Sequence, residues 1–255
     1  MTAATLGAAP GPLQALAAVY AAQLSRAKAA RGPLLFVATL QSVGILVLLR
    51  GVVDEGSAAT ARQVVAGSTV LVVAYIALNL LAQRFGLLRG AGALDHYAAL
   101  PIPPAAVVLG TAASYATFTV PGAVLTAVLG CLLYGLPLGG LWVLLAVLPL
   151  AGASLAGLGA LIGLLAPRPE LATATGQLAM SAILFLGIIP AERLPALLQA
   201  LRAAVPSTYA TDAFAEALRG QPDAGRIAVD LLVCLVVAVL TLGLASACLR
   251  RAVRR

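Results

Sequence analysis

The sequence predicts an all-α integral membrane protein with six transmembrane helices, an N-terminal interfacial helix, and short re-entrant or interfacial helices before the last span. Three observations carry this fold class. Of 255 residues, 62% are hydrophobic and 10% charged, and the mean hydropathy is +1.03, whereas a soluble domain is about 45–50% apolar and about 25% charged. So much apolar surface cannot be hidden inside one globule of this size, so the lipid bilayer is the expected solvent. The apolar residues also fall into six runs, each close to or above the roughly 20 residues a helix needs to cross a bilayer. Finally, these runs do not alternate apolar with polar as barrel strands do, and in hydrocarbon a helix satisfies its own backbone groups.

The elements follow in order. Residues 1–32 read as a cytoplasmic tail and an amphipathic helix. Leu13, Leu16, Ala17, Tyr20 and Leu24 recur at helical spacing, followed by Arg26, Lys28 and Arg31. This helix is expected to lie along the cytoplasmic interface, its basic groups near anionic headgroups. Residues 1–12 carry no basic side chain, unlike a secretory leader, so the first span is expected to be retained. A six-helix transmembrane domain covers 33–249, with spans expected at 33–52, 64–82, 105–133, 141–165, 171–189 and 227–249. Pro121 inside the third predicts a kink or tilt. A basic tail, 250–255, closes the chain.

Sixteen Lys and Arg against nine Asp and Glu give a net charge of +7. These basic residues flank apolar spans, so they read as loop orientation rather than as a nucleic-acid surface. With both termini cytoplasmic, the inside holds ten basic residues and two acids, Asp95 and Glu170. The outside holds six basic residues and seven acids. In a bacterial host the membrane would be the inner one.

Two segments between spans stand out. Residues 84–104 form the largest expected internal loop, with Asp95, His96 and Tyr97 clustered ahead of a proline-rich run. His96 is the only histidine, and a metal site needs several converging ligands, so a protein-contact surface is favoured over a metal. Residues 190–226 form the largest external segment. Pro190, Pro195 and Pro206 punctuate it, and Leu194, Leu197, Leu198, Leu201 and Val205 make an apolar stripe. Ser207 or Thr208 is expected to cap a second short helix ending near Gly220. Neither helix can cross a bilayer; a dipping pair and a plain interfacial pair fit equally.

Much familiar chemistry is missing. The chain has no G-x-x-x-x-G-K-[ST] phosphate loop, no G-x-S-x-G, no H-E-x-x-H and no C-x-x-C. Cys131, Cys234 and Cys248 are isolated within apolar runs and read as packing residues. The span interiors lack Asp, Glu, His and Arg; Arg50 and Asp230 fall near expected outer ends, where snorkelling is cheap. Proton relays need such groups at depth, which argues against proton-driven transport, while sodium coupling through backbone carbonyls stays open. What remains is mild polarity: Gln41 in the first span, Asn79 in the second, and Thr173, Gln177 and Ser181 spaced four apart in the fifth. These suit a pathway lining, a dimer interface or a bond to a neighbouring helix. Gly159 and Gly163 make a G-x-x-x-G in the fourth span, a close-packing signal.

Two stretches resemble the type-2, exporter-like ABC transporter permease family. Leu88-Arg89-Gly90-Ala91-Gly92-Ala93-Leu94-Asp95 through Leu100-Pro101-Ile102 looks like the family's Glu…Gly-Thr-Leu-Glu/Asp…Leu…Pro pattern. Pro190-Ala191-Glu192-Arg193-Leu194-Pro195, continuing to Val205-Pro206-Ser207-Thr208-Tyr209-Ala210-Thr211-Asp212-Ala213, looks like its Leu-Pro…Pro-Leu-Thr-Tyr-Ala-x-Asp-Ala stretch. Leu88 and Arg89 stand where the family has an acid, and Gly92-Ala93 replaces Gly-Thr. The resemblance implies a dimer of six-span subunits, either a homodimer or a pair with a close homologue. It also implies two copies of a separate ATPase subunit. No cofactor is expected on this chain; ATP and Mg would be held by the partner ATPase. The loop around Arg89, Gly92, Leu94, Asp95, His96 and Tyr97 would couple to that ATPase. The segment with Pro190, Glu192, Leu194, Pro195, Pro206, Tyr209 and Asp212 would be re-entrant near the exit. The expected function is export of a hydrophobic or amphipathic substrate. An ion-coupled secondary carrier and a non-transporting scaffold or assembly factor are the alternatives.

Overall fold

The computed structural model describes residues 11–26, 31–51, 58–93, 102–188 and 195–253, and every regular element among them is helical. In chain order, α1 is Pro12–Arg26, α2 Arg31–Arg50 and α3 Ala58–Val73. A wide π-helical segment, Ala74–Leu80, leads into α4, Leu81–Gly90. Then come α5, Pro104–Tyr134, a 3-10 turn at Leu138–Val143, α6, Leu144–Leu165, and α7, Pro169–Ile188. The short α8, Ala196–Ala204, and α9, Pro206–Ala217, precede α10, Ala224–Val253.

Among the described residues five continuous helical rods are long and apolar enough to span a bilayer: Ala58–Gly90, Pro104–Tyr134, Leu138–Leu165, Pro169–Gly187 and Ala224–Arg251. At the first expected span the apolar stretch is the shorter Phe36–Arg50, within α2. The Ala58–Gly90 rod is the centre of the bundle and is almost wholly enclosed. α2, α5, α6, α7 and α9 pack against it, while α1 lies on α5 and α10 lies outside, in extended contact with α6. These outer helices expose large apolar side chains such as Leu145, Leu178, Leu232 and Val239. In water such a surface would drive association; in hydrocarbon it is the expected exterior.

One expectation needs correction. Residues 84–90 are not loop: they complete α4, so the second span is a 33-residue rod, longer than the hydrocarbon core at about 1.5 Å per residue. Gln83, Arg84 and Arg89 lower the hydropathy there, and hydropathy alone ended the span too early. The rod stops by a Schellman motif at Gly92. The N–H of Ala93 donates to Leu88 O at 2.9 Å and that of Gly92 to Arg89 O at 3.1 Å, with Gly92 at φ +66°. That left-handed geometry costs least at glycine. Pro121 lies inside α5, which stays helical on both sides of it.

The face of α1 that packs on the bundle lies beside the apolar stripe read from the sequence. Ala15, Val19 and Gln23 are buried, whereas Leu13 is 80% exposed. The contact is set by Gly110 of α5: a Cβ there would sit 2.9 Å from Val19 Cβ. Glycine lets α1 lie directly on α5, and the Tyr20 hydroxyl reaches the Thr117 hydroxyl at 3.1 Å.

Candidate functional site

Three groups of polar side chains punctuate this apolar bundle. They lie at the two ends of the Ala58–Gly90 rod and within it.

At the α4 end, Arg89 donates through Nη1 to the carbonyl of Leu164. Leu164 lies in the last turn of α6, where carbonyls lack intrahelical donors and a cation is favourable. Gly90 and Gly86 let α4 press on the start of α7: added Cβ atoms would meet Pro169 Cγ and Ala172 Cβ, each at 2.5 Å. Arg89 and Gly92 thus sit where α4, α6 and α7 converge. Leu94, Asp95, His96 and Tyr97 lie outside the described residues.

Within the rod, the π segment carries Asn79, which is 2% exposed. Its Nδ2 donates to Gln177 Oε1 at 3.2 Å, and its Oδ1 accepts from Gln83 Nε2 at 3.2 Å. The bridge joins the central rod to α7. Two glycines make room for it. A Cβ at Gly176 would be 3.0 Å from Asn79 Oδ1, and one at Gly159 would be 2.4 Å from Leu78 O. The G-x-x-x-G pair therefore packs as expected, Gly159 on the π segment and Gly163 against Ala82 and Phe85. π turns are rare and recur at functional sites. Thr173 and Ser181 flank Gln177 on α7, but each hydroxyl bonds a carbonyl of its own helix, Pro169 O and Gln177 O. Gln41, half-buried on α2, is not part of the bridge.

At the opposite end, Gln63 of α3 donates through Nε2 to Gly187 O at 2.9 Å and to Asp212 Oδ1 at 3.2 Å. Asp212, on α9, also pairs with Arg202 of α8. Four helices are tied by these few groups. α8 is turned inside out relative to a soluble amphipathic helix. Arg202 is its one buried residue, while Leu197, Leu198 and Leu201 face outward. α9, by contrast, is built into the bundle against α3, α6 and α10. The capping expectation fails here. Val205 occupies the N-cap with Pro206 at the first helical position, and no side chain caps the helix. The Thr208 hydroxyl instead lies 2.7 Å from Arg202 O and 2.6 Å from Val205 O, and Tyr209 OH donates to Ala203 O at 2.8 Å. Both side chains hold the α8–α9 corner. Pro195 is the N-cap residue of α8, and Pro190, Glu192 and Leu194 lie outside the described residues. Asp230 is half-buried near the start of α10, with its Oδ2 enclosed and without a hydrogen-bond partner.

Gln63, Gln83 and Arg202 were not singled out from the sequence. Arg202 alone left a signal, as a cation set beside a leucine stripe on a short helix.

Among the described residues no group of three or more His, Cys, Asp or Glu could hold a metal, and the three cysteines are free. What these sites offer is amide and hydroxyl hydrogen bonding at depth and charge at the ends.

No curated protein matches the chain. The family described as ABC-2 type transporter matches residues 15–218, from α1 through the end of α9. With that match spanning most of an all-helical, bilayer-length bundle, this chain belongs to the ABC-2 type transporter family of membrane transport subunits.

Proposed function

We propose that the chain is the membrane-spanning permease subunit of an ATP-driven exporter, moving a hydrophobic or amphipathic substrate out of the cytoplasm. The observation that carries this reading is the family match over residues 15–218. The sequence has no phosphate-binding loop of its own, so a separate ATPase subunit supplies the energy. Two copies of that subunit, holding ATP and Mg, dock under two copies of this chain.

α2 is the sixth span in this proposal. Its 20 residues reach about 30 Å at roughly 1.5 Å per residue, enough to cross the core. Tyr134 OH of α5 anchors it through Leu46 O at 2.9 Å. Six crossings put both termini on one side, and the excess of basic residues makes that side cytoplasmic.

The coupling surface is the α4 end. Because Arg89 and the Gly86–Gly90 contact bind α4 to α6 and α7, a push on residues 94–97 is transmitted to three spans at once. The polar side chains between the two ends, Asn79, Gln83 and Gln177, are neutral amides. An uncharged lining gives no fixed counter-ion to a charged cargo, which favours amphipathic or lipid-like ones. The Arg202–Asp212–Gln63 clasp and α9 form the exit side. ATP binding then biases inward- and outward-open states by its differential affinity for them.

The test is co-expression with an ABC ATPase subunit, purification and reconstitution in vesicles. The ATPase should co-purify, and export should require ATP. Changing Asp95, His96 and Tyr97 together to Ala should weaken the association while leaving the helical content intact. Transport that persists without ATP and collapses with an ion gradient would mean a secondary carrier. A complex with no substrate-dependent ATPase activity would mean a scaffold.

A further inference from the structure

We propose that a groove between α5 and α6 is a binding site for one hydrocarbon chain of a bilayer phospholipid. This inference needs only the bilayer placement of the bundle, not the direction or energy source of transport. The groove encloses about 400 Å³. It exists because α5 presents short side chains there, Ala116, Thr117, Val120 and Val124, opposite leucines of α6 such as Leu145 and Leu148. Its floor is set by Gly152, whose added Cβ would lie 3.4 Å from Ala116 Cβ, so the two helices touch below and leave a trough above.

Three candidate occupants fail on physical grounds. A water needs about 2–4 polar partners. The lining has one polar side chain, Thr117, and its hydroxyl already donates to Ala113 O at 3.0 Å and meets Tyr20 OH. The same shortage excludes a polar ligand. A helix of a second copy is about 10 Å wide with its side chains, too thick for this volume. A single alkyl chain fits, since sites of roughly 300–1,000 Å³ hold small molecules. Left empty, the lining would lose its dispersion contacts. The groove also opens sideways into the surroundings: Leu145 on its rim is 85% exposed, on a rod of spanning length. Chains from the bilayer therefore enter without crossing water.

The experiment uses the full chain in vesicles of phosphatidylethanolamine and phosphatidylglycerol, doped with a phosphatidylethanolamine bearing a diazirine on its acyl chain. After irradiation, labelled peptides are located by mass spectrometry. Labelling of the groove residues on α5 and α6 should exceed that of the exposed α10 face at Val229, Leu232 and Val236 by about fivefold, equivalent to about 1 kcal/mol of preference. Val120→Trp, which fills the trough, should bring groove labelling down to the α10 level and leave α10 labelling unchanged. If Val120→Trp does not fold, the wild-type contrast between the two faces decides alone. Equal labelling of both faces would overturn the proposal. So would Val120→Cys copies that cross-link chain to chain while the groove stays unlabelled.

Discussion

At the scale of single residues, glycines decide how this bundle closes. Gly159 brings α6 against the backbone of the π segment, and the next atom a Cβ would meet is a carbonyl oxygen rather than a movable side chain. Gly159→Ala should therefore destabilise the protein by about 1–3 kcal/mol or more, the range for overpacking, read as a lower thermal midpoint in detergent. Gly243→Ala is the matched control. Nothing lies within 4 Å of a Cβ there, so that change should not destabilise and should gain about 0.5–1 kcal/mol of helix propensity.

At the scale of elements, α8 is held by charge. Its leucines face outward and Arg202 faces Asp212, so apolar burial against the bundle contributes little to its placement. Asp212 also receives Gln63 of α3. Asp212→Ala should lower stability by about 1.5–3 kcal/mol, the range for hydrogen bonds to charged groups. It should also raise proteolytic cleavage within α8. The double variant Asp212→Leu with Arg202→Leu should recover part of that loss, because no charge is then left without its counterpart. Thermal melts of the two variants check this, and a double variant weaker than Asp212→Ala would sink the clasp as the anchor of α8. The Asn79–Gln177 bridge differs in kind. It joins neutral groups at depth, where such bonds average only about 0.6 kcal/mol, so its value lies in fixing the register of α7 against the π segment more than in stability.

At the scale of the whole molecule, the even number of crossings is the most exposed part of the proposal, and it turns on α2. Impermeant thiol labelling of single cysteines added at residue 5 and residue 254, in the otherwise cysteine-free chain, should give the same accessibility in right-side-out vesicles: both protected, both reactive after permeabilisation. Opposite accessibility would mean five crossings and would remove the shared cytoplasmic face on which an ATPase docks.

The sequence by itself determined the solvent, the helices and most of their limits. The run at 105–133 became Pro104–Tyr134, and that at 171–189 became Pro169–Ile188, because hydrocarbon length and backbone satisfaction leave a chain this apolar no other structure. It also showed Gly159 and Gly163 as a packing pair. Only the tertiary structure decided what those helices touch. Residues 84–90 are polar enough to end a hydropathy run yet remain helical, because α4 continues until Gly92 turns it and Arg89 caps α6. α1 uses Ala15, Val19 and Gln23 because Gly110 stands opposite them. Asn79 meets Gln177, and Arg202 turns inward to Asp212. In a uniformly apolar chain nearly every helix face looks equally buriable, so periodicity cannot name the inner one. Close approach at a few glycines and pairing of a few polar groups choose it, and both join residues far apart in the chain.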